Sequence, residues 1–180
     1  GDLPAGRIGG ESTSALLRAA RDDDDVKAVV LRVDSPGGEV YASEQIRREV
    51  VALQAAGKPV WLSVSVDDRD GSKLRSGEAV ADLAKVIAEH PTAAVLANCS
   101  MPEAMAEAMR ALAPIGLPFG AYANGFTHIS GNFLKDAPTV KELTHRHDLT
   151  PEKYTEFAMG WVASGATIVG GCCEVGPAHI

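Results

Sequence analysis

Five short apolar runs, interleaved with stretches of helical spacing, constrain this fold more than any other feature. The runs lie at residues 27–33 (KAVVLRV), 60–66 (VWLSVSV), 93–97 (AAVLA), 118–123 (PFGAYA) and 166–169 (ATIV). They are short and rich in valine and alanine, as expected of strands buried on both faces. Helical periodicity fills residues 12–21, 41–56, 78–89 and 102–112, and again the stretch from Thr150 to about residue 163. Local signals mark the helix ends. Gly57 stops the second helix, proline opens the fourth and fifth, and Thr150 stands as N-cap before Pro151. Strands alternating with helices predict crossover units and a parallel α/β sheet. Asp34-Ser35-Pro36-Gly37-Gly38 is dense turn chemistry, residues 67–77 form a polar loop, and a long loop runs from Phe126 to about Thr150.

Length and charge narrow the function classes. The 180 residues suffice for one good core and not for two large domains. A net charge of −7 disfavours nucleic acid as a main partner, because phosphate binding needs a basic face. No apolar run approaches the length of a membrane span, so no membrane partner is expected. The chain opens at Gly1 without a secretory pattern, and with reduced cysteines this points to the cytoplasm. The missing methionine, and a stop just after Pro177, suggest that both ends are cut within a domain.

The chemistry-bearing residues are the cysteines. Cys99 follows the third run, and Cys172 and Cys173 follow the fifth through Gly170-Gly171. All three thiols therefore fall past strand ends, the edge at which parallel α/β proteins bind ligands. Adjacent cysteines rarely bond to each other, and an odd count argues against a disulfide framework. Three thiolates would hold zinc with one coordination position open, the catalytic arrangement. From spacing alone, plain buried thiols remain an equal alternative. Asn124, before Gly125, reads either as a turn residue or as a site residue. Asp67 and Asp68 read as a solvated loop. His128, His145, His147 and His179 do not share zinc-ligand spacing, and His145 and His147, flanking Arg146, read as surface residues.

From about Val60 to Ile180 the chain resembles the C-terminal half of a homocysteine S-methyltransferase domain. The matching segments are Pro59 to Ser65 (PVWLSVS), Ser76-Gly77-Glu78, Asn98-Cys99, Tyr122-Ala123-Asn124-Gly125 and Gly170-Gly171-Cys172-Cys173. The resemblance implies a (βα)8 barrel in which cysteines matching Cys99, Cys172 and Cys173 bind zinc, and zinc binds the thiol of homocysteine. It also implies an asparagine near the metal at Asn124, expected as a substrate-binding residue, and a methyl donor such as S-methylmethionine, S-adenosylmethionine or betaine.

From about Gly6 to Val60 the chain instead resembles a signal peptide peptidase of the SppA type. Arg7-Ile8-Gly9-Gly10, the stretch Val26 to Gly38 (VKAVVLRVDSPGG), Ala42 to Arg47 (ASEQIR) and Ala55 to Val60 (AAGKPV) carry the match. That resemblance implies a crotonase-like fold and a Ser/Lys dyad. It ends before the segments that would supply serine and lysine, so Gly37 and Gly38, which match oxyanion donors, have no nucleophile to serve. The expected chain is a mosaic with its seam at residues 55–61: a peptidase-like βα segment over 1–58 and a methyltransferase half over 59–180.

Together these readings predict a partial (βα)8 barrel, half-barrel-like, with a crotonase-like βα segment at the N-terminus. The expected activity is zinc-dependent methyl transfer to homocysteine, impaired by the missing half of the barrel, which supplies part of the homocysteine pocket. Asp34, ending the first run, would stand in for a family glutamate near the substrate's ammonium group; the competing reading is a residue that starts the turn through Pro36. The rivals are a non-catalytic zinc-binding module and an inactive remnant of a serine peptidase. An open sheet also leaves two edges exposed, which predicts a homo-oligomer.

Overall fold

A computed structural model describes residues 9–33, 40–127 and 143–180. The elements run α1 (Gly10–Asp22), β1 (Val29–Val33), α2 (Val40–Ala55), β2 (Val60–Ser65), α3 (Leu83–Glu89), β3 (Ala94–Asn98), α4 (Pro102–Leu112), β4 (Phe119–Ala123), α5 (Pro151–Ala163) and β5 (Ile168–Gly171). All five strands are parallel and lie in sequence order, β1-β2-β3-β4-β5. An order that never reverses is the winding of a barrel rather than of a doubly wound sheet. The sheet curls as a half-barrel with its helices on one face.

Register separates the two faces. Val64 pairs with Ala97 and Ala97 with Ala121, so these residues share a face with Val95, Phe119 and Ala123. That face packs on Leu83 and Ile87 of α3, Met105, Met109 and Leu112 of α4, and Tyr154 and Trp161 of α5. A second, smaller cluster joins Leu17 of α1 and Leu53 of α2 to Val60, with Val29, Ile46 and Val50 packed against it. The opposite face carries Ser63, Ser65, Asn98 and Tyr122, whose hydroxyl donates to Ser63 Oγ at 2.5 Å.

Helix ends follow local chemistry. The Thr150 side chain accepts from the Lys153 N–H at 3.3 Å with proline at the start of α5, and Gly57 takes a left-handed φ of 77° after α2. Two expected boundaries move. The third helix begins at Leu83 rather than residue 78, because Ala79 is extended and bridges Lys73, with a 3-10 turn at Val80–Asp82 in between. Antiparallel bridges thus order part of the predicted polar loop, Leu74 pairing with Val66. The last strand is shifted C-terminally: Gly170 and Gly171 belong to β5, paired with Tyr122 and Ala123. A Cβ on Gly171 would meet Val175 Cγ1 at 2.4 Å, so the closing segment packs there only against glycine.

Candidate metal centre

Because every strand is parallel, the residues after β3, β4 and β5 emerge at one edge of the sheet. Cys99 follows Asn98, Asn124 follows Ala123, and Cys172 and Cys173 follow Gly171. The backbone fixes how they meet. Cys99 N–H donates to the Tyr122 carbonyl at 3.0 Å, Cys172 N–H to the Ala123 carbonyl at 2.9 Å, and Gly125 N–H to the Cys173 carbonyl at 2.8 Å. Gly125 is needed there, since a Cβ would stand 2.9 Å from Glu174 Cβ.

The three sulfurs lie within 4.8 Å of one another, with Cys99 Sγ 3.9 Å and Cys172 Sγ 3.8 Å from Cys173 Sγ. Tetrahedral zinc–thiolate bonds of about 2.3 Å place ligand sulfurs about 3.8 Å apart, so the donor set fits a single ion. No disulfide joins them. Cys99 is buried, whereas Cys172 and Cys173 are half-buried.

A polar shell holds this arrangement. The Cys99 carbonyl accepts from Arg75 Nη2 and from Asn124 Nδ2, each at 2.8 Å. Asn124 Oδ1 accepts from the Phe126 N–H at 3.1 Å, so both ends of this fully buried amide hold loop backbone. Ser100 Oγ accepts from the Val66 N–H at 3.0 Å and donates to its carbonyl at 2.7 Å. Asp68, expected in a solvated loop, instead accepts from the Met101 N–H at 2.8 Å, at the start of α4. The Tyr154 hydroxyl accepts from the Ala123 N–H and donates to the Gly170 carbonyl at 2.6 Å; burial pushes its phenol above the usual range.

Two of the described histidines have partners away from the cysteines. His145 pairs with Glu174 at 3.3 Å on the exposed side, and His179 Nε2 lies 3.2 Å from the Leu149 carbonyl. Between His145 and His147, Arg146 is buried and grips Glu103 of α4 at 2.7 and 2.8 Å and Asp148 at 2.7 Å. Asp34 and His128 lie outside the described residues, as do Gly37 and Gly38. The strand leading to Asp34 is β1, two strands from β3, so its end reaches the same edge about 10 Å away across the ladder. Sequence reasoning missed Arg75, Ser100 and Arg146 as supporting residues. The contacts that matter, to Cys99, Val66 and Glu103, are distant in sequence.

The family model for homocysteine S-methyltransferase matches residues 37–180. Homocysteine S-methyltransferase of Escherichia coli strain K12 is 28% identical over 122 residues, covering 67% of this chain and 36% of its own length. Protease 4 of Salmonella typhi is 55% identical over 64 residues, covering 36% of this chain and 10% of its own. Among solved structures, the apo form of the Escherichia coli homocysteine methyltransferase MmuM superposes with a TM-score of 0.60 at 21% identity, over 97% of this chain and 56% of that one. The metallated form of MmuM gives a TM-score of 0.60 at 20% identity. The chain is thus a mosaic of methyltransferase-like and SppA-like parts, and spans about a third of the length of the Escherichia coli methyltransferase and a tenth of that of Protease 4.

Proposed function

The chain belongs to the homocysteine S-methyltransferase family, and we propose that it binds zinc through Cys99, Cys172 and Cys173 and methylates the thiol of homocysteine to give methionine. The observation that carries this reading is the approach of three sulfurs to within 4.8 Å at the strand ends. Bound zinc would hold the substrate's sulfur as thiolate at neutral pH, the form that attacks a methyl group. Cys99, Cys172 and Cys173 as thiolates would outweigh the ion's two charges and would leave electron density on the substrate sulfur. The new bond would join the homocysteine sulfur to the methyl carbon, the thiol proton having passed to solvent, while the donor's carbon–heteroatom bond would break with its electron pair. The donor must therefore be a sulfonium or quaternary ammonium, which departs as a neutral thioether or amine.

The chain's other residues bind and orient. Asn124 acts through the Cys99 loop, whose carbonyl it holds. Asp34, the residue that follows β1 in sequence, would pair with the substrate's ammonium group. The half-buried cysteines give the substrate its entry. Free thiols in this role require a reducing compartment, which supports the cytoplasm. We place the junction of the two parts at residues 55–61, a proposal supported by packing: Val60 belongs to the small cluster with α1 and α2, and Val64 to the main core. The family match, starting at Gly37, extends ahead of that junction.

The test joins metal analysis to a methyl-transfer assay with homocysteine and S-methylmethionine, S-adenosylmethionine or betaine. About one zinc per chain with methionine formed is the expected result; metal-free protein with three freely titrating thiols overturns it. The rival reading is a zinc-binding module without turnover. Zinc retained with no methionine from any donor selects it.

A further inference from the structure

Cys99 combines two features that do not ordinarily coexist. It is a sulfur of the cluster, and its backbone is left-handed, with φ at 48°. That conformation costs a non-glycine residue about 1–2 kcal/mol, and a glycine there would supply no sulfur. Something must hold the residue in place. Its carbonyl accepts two side-chain donors, Arg75 Nη2 and Asn124 Nδ2, each at 2.8 Å. The same Arg75 nitrogen lies 3.3 Å from Ser100 Oγ. Arg75 is itself anchored, because its N–H donates to the Ser65 carbonyl at the end of β2 at 3.1 Å, beside the bridge between Val66 and Leu74.

We infer that Arg75 is a positioning residue for the metal: it clamps the Cys99 peptide in its left-handed state, and so ties the loop after β2 to the sulfur delivered by β3. The inference rests on the zinc reading above. The guanidinium is suited to the task for two reasons. A charged donor makes a stronger bond to a carbonyl than a neutral one. It also puts a fixed positive charge on the peptide of a ligand whose site gathers three thiolates. Without it, the carbonyl loses one of its two charged or amide side-chain donors and the Cys99 peptide can relax toward an ordinary conformation, carrying Sγ away from Cys172 and Cys173. Outer-shell partners of this kind are worth roughly 10–100-fold in metal affinity.

The experiment uses the full chain, reduced and stripped of metal. Co²⁺ is titrated with its visible spectrum recorded, then displaced by Zn²⁺ in competition with a chromophoric chelator. Wild type should bind one ion with the intense visible bands of a tetrahedral thiolate site. Arg75→Met should bind about 10–100-fold more weakly with altered bands, while its metal-free melting stays near wild type. Arg75→Lys, which restores a cationic donor, should recover part of the affinity and keep the proposal testable if Arg75→Met does not fold. Unchanged affinity in a folded variant overturns the positioning role and leaves the zinc reading intact. A variant whose metal-free stability falls while affinity holds does the same, by making Arg75 merely structural. A wild-type chain that takes up neither ion overturns both.

Discussion

Two non-glycine residues have left-handed backbones among the described residues, Cys99 with φ at 48° and Glu174 with φ at 63°; one carries a sulfur of the cluster and the other follows Cys173 in sequence. Strain of this kind persists where the surroundings over-determine it, as at ligand clamps. The sulfurs themselves should act as a unit. Replacing Cys172 with Ala leaves two thiols, and we expect most bound zinc to be lost while the fold survives, measured as metal per chain beside a circular dichroism spectrum. Arg146 makes a different prediction. It is buried and joins the segment before α5 to Glu103 of α4. Arg146→Met should cost about 1–3 kcal/mol, because bonds to charged groups are lost from a buried position. The Arg146 guanidinium holds the Asp148 carboxyl below its ordinary 3.8. A depressed folded pKa means that this stabilisation is complete above 3.8 and is lost as pH falls through the lower, folded value. Urea melts of metal-free wild type and variant should thus differ by a constant amount from pH 8 to 5, and the difference should begin to narrow below about pH 4.

At the scale of the element, β4 and β5 are stapled by a helix. Tyr154 of α5 accepts from the Ala123 N–H at 3.0 Å and donates to the Gly170 carbonyl at 2.6 Å. Tyr154→Phe keeps the ring against Trp161 and leaves the Ala123 amide buried without its partner, a cost of about 1–3 kcal/mol. Amide exchange at Ala123 and Cys172 should quicken most; uniform protection across the sheet would show that the hydroxyl is not the staple. Elements of this kind were legible where the signal is local. Thr150-Pro151 opens α5 and Gly57 closes α2 because capping chemistry is written in adjacent residues. The start of α3 was not legible, since Ala79 is drawn into a bridge with Lys73 that helical periodicity cannot report. The shift of β5 has a similar origin: Gly170-Gly171 reads as a turn until the facing β4 is known to pair with it. At the site, the cysteines were visible because each follows an apolar run. Arg75 was not, because its 24-residue reach to Cys99 depends on two strands lying side by side.

At the scale of the whole molecule, the parallel order β1 to β5 leaves β1 and β5 each with an outer side that no described strand pairs. In a closed barrel of about 250 residues those edges would be joined through three further units. Here Val30 of β1, on the face opposite Val29, is 51% exposed. An apolar edge strand with unpaired backbone groups is a template for another chain. We therefore expect homo-oligomers in solution, with edges paired between copies, seen by light scattering as a mass of two chains or more that falls on dilution. Val30→Lys tests the route. A charge on an edge strand opposes pairing, so the variant should shift to monomer. Because β1 lies two strands from β3, the Cys99, Cys172 and Cys173 cluster should keep its zinc. A wild-type chain that remains monomeric at high concentration would show that the edges are covered by other means, and an oligomer unmoved by Val30→Lys would place the contact away from β1.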